Sequence, residues 1–193
     1  EGERAVREAH GQRGLGTCAI RPVHIYGPHD PHAMIESLAA LTDGRVPVLL
    51  GDGSARFDVV YVDNVAHAHL LAASRLDDTA TRERVGGKAY FVGEGHTPNY
   101  FDFLRPYAEV RGITMPRHHL PTPLVYAAAC CLELVGRITG IEVPFHRFHY
   151  HCLAQDFFFS CANAERDLGY RPIVSKEEAL VRTRDWVRSV AFP

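Results

Sequence analysis

A rigid, polar segment near the start of the chain limits the fold more than any other feature. Residues 21–30, RPVHIYGPHD, contain two prolines, a glycine, two histidines and a tyrosine. They follow an apolar run, residues 16–20, that predicts a short buried strand. In open α/β sheets, ligands bind just beyond the carboxyl ends of the strands. We therefore expect this segment to leave the sheet and to face a ligand.

The rest of the chain alternates strands with helices and then becomes mostly helical. Further strands are predicted at residues 46–50, 58–62 and 88–92. Helices are predicted over residues 1–10, 32–44, from Asp63 or Asn64 to 76, from Thr97 or Asn99 with an interruption at Pro106, over 123–140 and 163–168, and after a capping box formed by Ser175 and Glu178. Residues 77–87 and 145–152 are expected to be connections. This order indicates an α/β fold with a smaller, mostly helical lobe.

The composition excludes several classes of function. The net charge of −2 does not favour a nucleic-acid partner. The glycines of residues 11–16, GQRGLG, follow a helix and precede a strand, whereas a phosphate-binding turn needs the opposite order. The five cysteines form no C-x-x-C pair, which is typical of a reduced, cytoplasmic protein.

One predicted helix, residues 123–140, is unusually apolar. Its uninterrupted apolar part, residues 124–132, is shorter than the roughly 20 residues that span a membrane. Five of its residues recur at helical spacing and predict one packed face: Leu124, Ala128, Cys131, Leu132 and Val135. A core or interface helix, which would allow a homodimer, and a helix that lies on a membrane surface both fit this pattern.

Four stretches resemble the extended short-chain dehydrogenase/reductases, and within them the 3β-hydroxysteroid dehydrogenase branch. The first, RPVHIYGP, matches the family pattern R-P-x-x-[IV]-Y-G-P. The others are FDVVYVDNVAHAHLLA (57–72), GKAYFVGEG with NYFDFLRP (87–95 and 99–106), and DLGYRPIVSKEEAL with DWV (167–180 and 185–187). The resemblance implies the C-terminal part of a Rossmann-like NAD(P)-binding fold, with a substrate lobe drawn from residues 27–57 and 93–193.

The family also implies an activity and a location for its chemistry. Its members are NAD(P)-dependent oxidoreductases, here expected to act on the CH–OH group of a 3β-hydroxysteroid or a related lipid alcohol or ketone. The catalytic Y-x-x-x-K motif of the family does not occur in the 193 residues. Residues 1–3, EGE, resemble the sequence that follows this motif, so we expect the motif and the nucleotide turn upstream of Glu1. The chain alone is therefore expected to hold no catalytic residue and to be inactive, and its sequence does not choose between NAD and NADP.

The resemblance also assigns site residues. Pro22, Val23 and His24 are expected at the nicotinamide, with the Val23 N–H free to bond the carboxamide because Pro22 has no N–H of its own. Ile25 and Tyr26 are expected to line the junction between cofactor and substrate. Arg56 is expected to contact substrate, through a phosphate or carboxylate, or to form a structural ion pair.

Three alternatives remain open from the sequence. A sugar-nucleotide epimerase or dehydratase shares the R-P-x-x-x-Y-G pattern, and a non-catalytic binding module would keep the lobe without the chemistry. The cluster His146, His149, His151 and Cys152 has the most metal-like spacing in the chain. It lacks the second ligand pair of a structural zinc site, so we expect no metal there.

Overall fold

The computed structural model describes residues 1–30, 33–141, 143 and 147–191. Its strands are β1 (Ala19–Pro22), β2 (His24–Tyr26), β3 (Leu49–Leu50), β4 (Val59–Tyr61), β5 (Ala89–Val92) and β6 (His119–Leu120). Its helices are α1 (Gly2–Glu8), α2 (Ala33–Thr42), α3 (Val62–Asp77), α4 (Thr79–Val85), α5 (Tyr100–Val110), α6 (Thr122–Thr139), α7 (Arg147–Ala154), α8 (Ala162–Leu168) and α9 (Lys176–Ser189).

All of the strand pairs among these residues are parallel. β1 pairs with β5 from Ala19↔Ala89 to Pro22↔Val92, β2 pairs with β4, and β3 pairs with β6. Parallel neighbours need crossover connections, which helices usually supply, and they are buried on both faces. The strand–helix alternation predicted from the sequence is therefore confirmed.

The described chain divides into two units, and the first holds β1, β2, β4 and β5. It consists of Glu1–Gly27, Asp58–His96 and Phe159–Val181. Val60, Tyr90 and Val92 are fully buried at the centre of its core, and α3 and α8 contribute the remaining core side chains, including Ala68 and Leu168. The continuous apolar run of β4 reflects burial on both faces, whereas in β5 the buried residues Tyr90 and Val92 alternate with half-buried ones.

The second unit consists of Pro28–Phe57, Thr97–Phe158 and Arg182–Pro193. Met34 and Leu38 of α2 are buried, as are Leu104 and Tyr107 of α5. The apolar residues of each helix recur at helical spacing and form its packed face.

Two expected connections are helical, so these predictions were wrong. Helix α4 lies within residues 77–87 and begins at Asp78, whose side chain accepts a hydrogen bond from the Ala80 N–H at 2.9 Å. Its apolar residue Val85 is fully buried. Helix α7 (Arg147–Ala154) begins within the expected link 145–152 and extends beyond it. A capping aspartate and one buried valine thus suffice to hold a short polar helix.

The expected interruption of α5 at Pro106 is also wrong. The helix is continuous from Tyr100 to Val110, and Asn99 caps it by accepting the Phe101 N–H at 3.0 Å. Proline removes one helical hydrogen bond. The buried side chains on both sides of it keep the helix intact.

Helix α6 packs on a different face from the predicted one. Its buried residues are Val125 and Ala129, whereas Leu124 and Val135 are 58% and 50% exposed. Among the described residues, α6 alone is long and apolar enough, by length and composition, to cross a membrane, and 11% of it is buried. The prediction of a packed face through Leu124 and Val135 is therefore wrong, since this side of α6 is an exposed apolar surface.

Candidate functional site

The segment after β1 continues in the sheet. β1 ends at Pro22, and the Val23 N–H donates to the Val92 carbonyl at 3.1 Å. Residues His24–Tyr26 then form β2 and pair with β4. The expectation that the Val23 N–H is free is wrong, because Pro22 offers no N–H and the next amide completes the ladder to β5.

The predicted site residues differ in exposure along this extended segment. Val23 and Tyr26 are buried, Tyr26 being only 3% exposed, whereas His24 is half-buried and Ile25 is 41% exposed. The exposure does not follow the two-residue period of one regular strand, since β1 ends at Pro22 and β2 begins at His24, with Val23 between them. Pro22, Val23 and His24 therefore lie consecutively at the carboxyl end of β1, but their cofactor role and the substrate role of Ile25 and Tyr26 stay predictions.

Tyr26 is held by a carboxylate that follows β5. Its hydroxyl donates to Glu94 Oε2 at 3.3 Å, and its ring lies edge-to-face with Tyr61 at 5.6 Å between centroids. Gly27 then turns the chain with a φ of +142°, and a Cβ there would lie 3.0 Å from a methyl group of Val62. The tight Y-G-P turn thus needs glycine for both conformation and space.

Glu94 also lies at the amino terminus of α3. Its Oε1 accepts the Tyr61 N–H at 2.6 Å and an N–H of the Asn64 amide at 2.9 Å. A negative charge is favoured at this end of a helix. Burial nevertheless raises the pKa of Glu94. The hydrogen bonds from Tyr61, Asn64 and Tyr26 oppose this rise, and the charge of Asp58 adds to it.

Asn64 is a fully buried junction and not a helix cap. Its Oδ1 accepts the N–H groups of Ile173 and Val174 at 2.8 and 2.9 Å, and its Nδ2 donates to the Val174 carbonyl at 3.1 Å as well as to Glu94. The helix is capped at Tyr61 without a side-chain bond, so the expected cap at Asp63 or Asn64 is wrong. The Asn64 amide instead forms four hydrogen bonds with other parts of the first unit, two through Oδ1 and two through Nδ2.

Asp58 is a buried carboxylate, placed just before β4. Its Oδ2 accepts the Phe159 N–H at 3.2 Å, while its Oδ1 has no hydrogen-bond partner within the described part of the chain. Burial raises the pKa of Asp58. A Cβ on Gly93 would lie 3.0 Å from Oδ1, so the chain next to Glu94 passes close to this carboxylate.

In the second unit, Arg56 forms the structural ion pair. Its guanidinium bonds Asp156 Oδ2 at 2.6 Å, its backbone N–H bonds Oδ1 at 3.0 Å, and its charge lies 4.2 Å from the centre of the Phe158 ring. The hydrogen bond from Arg56 lowers the pKa of Asp156. This is one of the two roles expected for Arg56; the contact with substrate stays a prediction.

The predicted metal-like cluster is only partly described. His146 and the side chains of His149 and Cys152 lie outside the described residues, and His151 Nδ1 is 2.7 Å from Gln155 Oε1. In the part of the chain that the structure describes, no three His, Cys, Asp or Glu side chains are grouped as metal ligands.

Sequence reasoning missed Glu94 and the true role of Asn64. The available signal for Glu94 was its place: it lies two residues beyond the carboxyl end of β5, where parallel sheets bind ligands. For Asn64, the partners Ile173 and Val174 are remote in sequence, so no local pattern indicated them.

Comparison with known proteins identifies the fold and the family. Residues 1–122 match the 3-beta hydroxysteroid dehydrogenase/isomerase family. The chain is 35% identical over 179 residues to a 3 beta-hydroxysteroid dehydrogenase/Delta 5-->4-isomerase of Mycobacterium tuberculosis, covering 92% of this chain and 48% of the relative. It is 31% identical over 186 residues to the decarboxylating sterol-4-alpha-carboxylate 3-dehydrogenase of Mus musculus, covering 94% and 51%. The chain thus spans about half the length of these curated relatives.

Solved structures give the same fold. The crystal structure of gox2253 matches with a TM-score of 0.68 and 25% identity, covering 96% of this chain and 53% of that one. A UDP-glucuronic acid 4-epimerase from Bacillus cereus, solved with UDP-glucuronic acid and NAD, matches with a TM-score of 0.60 and 17% identity, covering 98% and 51%. The fold is therefore Rossmann-like, as the motifs predict. Together with the match over residues 1–122, this shows that the chain belongs to the 3-beta hydroxysteroid dehydrogenase/isomerase family.

Proposed function

We propose that the protein containing this chain is an NAD(P)-dependent oxidoreductase that acts on the CH–OH group of a 3β-hydroxysteroid or a related lipid alcohol or ketone. Family membership and the names of the relatives support this proposal. The observation that carries it is the placement of residues 22–26 at the carboxyl ends of parallel strands, the edge at which such sheets bind ligands.

The exposed parts of this segment fit a nicotinamide cofactor. Ile25 offers an exposed apolar side chain, and His24, the residue before it, offers a half-buried polar one. A flat ring with a carboxamide needs both kinds of surface. When bound, the cofactor supplies hydride transfer to or from the substrate carbon. Pro22, Val23 and His24 would hold it, while Ile25 would exclude water beside it.

The chain itself supplies binding surface, and we propose that it does not supply the proton-transfer pair. No Y-x-x-x-K occurs in its sequence. We therefore expect the isolated 193 residues to show no NAD(P)-dependent turnover. The full-length protein should instead reduce NAD or NADP in the presence of a 3β-hydroxysteroid. The absorbance of the reduced nicotinamide measures this reaction. Absence of turnover with steroids, lipid alcohols and both cofactors would overturn the proposal.

A sugar-nucleotide epimerase is the second candidate, favoured by the exposed guanidinium of Arg56. Arginine matches phosphate oxygens well. However, Arg56 already bonds Asp156 through its side chain and its backbone. Binding of a UDP-sugar to the full-length protein, lost on Arg56→Ala, would favour this candidate over the steroid dehydrogenase.

We also propose that the protein is cytoplasmic and contacts a membrane surface through α6. Its exposed side holds Leu124, Leu134, Val135 and Ile138. Exposed apolar surfaces of this kind usually have a partner, and a lipid substrate would reach the enzyme from a bilayer. Replacing Leu134 and Ile138 by Ser should abolish sedimentation of the full-length protein with lipid vesicles. A loss of dimer on gel filtration, with sedimentation unchanged, would assign the surface to a homodimer.

A further inference from the structure

Glu94 links two strand pairs that meet at the proposed cofactor segment. β1 pairs with β5, and β2 pairs with β4. Glu94 follows β5, and its two oxygens bond residues at the ends of the other pair: the Tyr26 hydroxyl at 3.3 Å and the Tyr61 N–H at 2.6 Å. One side chain thus connects the carboxyl ends of β5, β2 and β4.

The segment Val23–Tyr26 is consequently held from β5 at both of its ends. At its start, the Val92 carbonyl accepts the Val23 N–H at 3.1 Å. At its end, Glu94 accepts the Tyr26 hydroxyl. Between these two anchors lie the half-buried His24 and the exposed Ile25. His24 and Ile25 lie between these two anchors, which help to set their position.

Glu94 is itself held in place by the rest of the first unit. Asn64 donates to its Oε1 at 2.9 Å, and the Asn64 amide is fixed by three further bonds to Ile173 and Val174. A carboxylate with three donors on its two oxygens has little rotational freedom. The position of Tyr26 is thus tied to the buried junction at Asn64.

We infer that Glu94 is a positioning residue for cofactor binding: through the Tyr26 hydroxyl it holds residues 23–26 in the conformation that the nicotinamide end of the cofactor requires. This inference rests on the proposed function. It assigns no chemical step to Glu94, which is half-buried and contacts the site through Tyr26. Loss of the carboxylate should therefore weaken cofactor binding while leaving the proton-transfer groups of the enzyme unaffected.

The test uses the full-length protein and measures the Kd of NADH and NADPH by calorimetry, with kcat and KM for steroid turnover. Glu94→Gln replaces the charged acceptor of the Tyr26 hydroxyl with an amide NH2 group, which donates and cannot accept, so the cofactor Kd and KM should rise by up to about tenfold, with kcat changed less than about twofold. Tyr26→Phe removes the same bond from the other side and should give the same rise. The double variant should show no further rise, because both changes break one contact.

Asp167→Asn is the matched control. Asp167 is a carboxylate that, like Glu94, has three hydrogen-bond partners in the same unit: Arg166, Lys88 and Tyr90. This variant should lose stability in urea and keep the wild-type cofactor Kd. Should Glu94→Gln fail to fold, Tyr26→Phe alone carries the test, because Glu94 keeps its bonds to Tyr61 and Asn64.

The outcomes separate this inference from the proposed function. Wild-type protein that binds neither NADH nor NADPH would overturn both. Wild-type protein that binds, together with a Glu94→Gln or Tyr26→Phe variant of unchanged Kd, would overturn the inference alone. Rises in Kd that add up in the double variant would also overturn it, because the two residues would then act independently.

Discussion

The two ends of strand β5 carry the same kind of group in opposite surroundings. Beside Lys88, which directly precedes the strand, Asp167 is buried and bonds Arg166 at 2.9 Å and Lys88 at 3.2 Å. Beyond the carboxyl end, Glu94 accepts hydrogen bonds from neutral donors: the Tyr26 hydroxyl, the Tyr61 N–H and the Asn64 amide. The hydrogen bond from Arg166 lowers the pKa of Asp167 to about 2, whereas burial raises the pKa of Glu94.

The two carboxylates therefore have different roles at the two ends of β5: Asp167 stabilises the fold, and Glu94 positions neighbouring residues. A buried carboxylate paired with cations stays charged throughout the neutral range and stabilises the fold. A half-buried carboxylate with neutral partners, such as Glu94, is stabilised less by its charge, and its main effect is the geometry that its hydrogen bonds impose. In parallel α/β folds, ligands bind at the carboxyl ends of the strands, and Glu94 is at that end.

The largest effect on stability is expected at Asn64, which belongs to the carboxyl end. Asn64→Ala removes four buried hydrogen bonds and leaves the N–H groups of Ile173 and Val174 without their acceptor. Urea unfolding should show a loss of about 3 kcal/mol. A loss similar to that of an exposed substitution would show that this end of the sheet is not held through Asn64.

Asp167→Asn should have the next largest effect and a distinct dependence on pH. The folded pKa of about 2 lies below the usual 3.8, so the stabilisation is full above pH 4 and disappears as the pH falls toward 2. At pH 7 the variant should lose about 2 kcal/mol in urea unfolding. Its stability should approach that of wild type near pH 2; a constant difference at all pH values would contradict the ion-pair assignment.

Glu94→Gln should have a smaller effect on stability. The contribution of Glu94 to stability should also depend on pH in the opposite direction to that of Asp167. Because the folded pKa is raised above the usual 4.5, the folded protein binds more protons, and stability falls as the pH rises above 4.5 through the folded pKa. The substitution removes this fall, since glutamine does not ionise. The stability of wild type relative to Glu94→Gln, measured from pH 4 to pH 8, should therefore decrease. An increase would show that the folded pKa of Glu94 is lowered, as that of Asp167 is.

Arg56→Ala should have the smallest effect and gives the baseline for both ends of β5. The pair with Asp156 is exposed to water and salt, and such pairs contribute little. The urea midpoint should not change. A clear shift would show that the stacked Phe158 ring and the backbone bond to Asp156 make this contact part of the fold.

The strands and the family could be predicted from the sequence because both depend on local patterns. The apolar runs at residues 58–62 and 88–92 became β4 and β5, and the R-P-x-x-x-Y-G motif indicated the family. The role of Asn64 could not be predicted, because its partners at 173 and 174 are brought to it only by the fold. Likewise, the expectation of a free Val23 N–H followed from Pro22 alone, whereas the acceptor at Val92 belongs to a neighbouring strand.

The central claim is that the carboxyl end of β5 serves cofactor binding and the amino end serves stability. Hydrogen exchange with and without cofactor tests this claim most directly. On addition of NADH or NADPH to the full-length protein, mass spectrometry should show slower exchange in peptides covering residues 21–27 and 93–95. Peptides covering 84–89 and 163–168, around Asp167, should exchange at the same rate as before. Protection around Asp167 with none at residues 21–27 would contradict the assignment of the carboxyl end to cofactor binding.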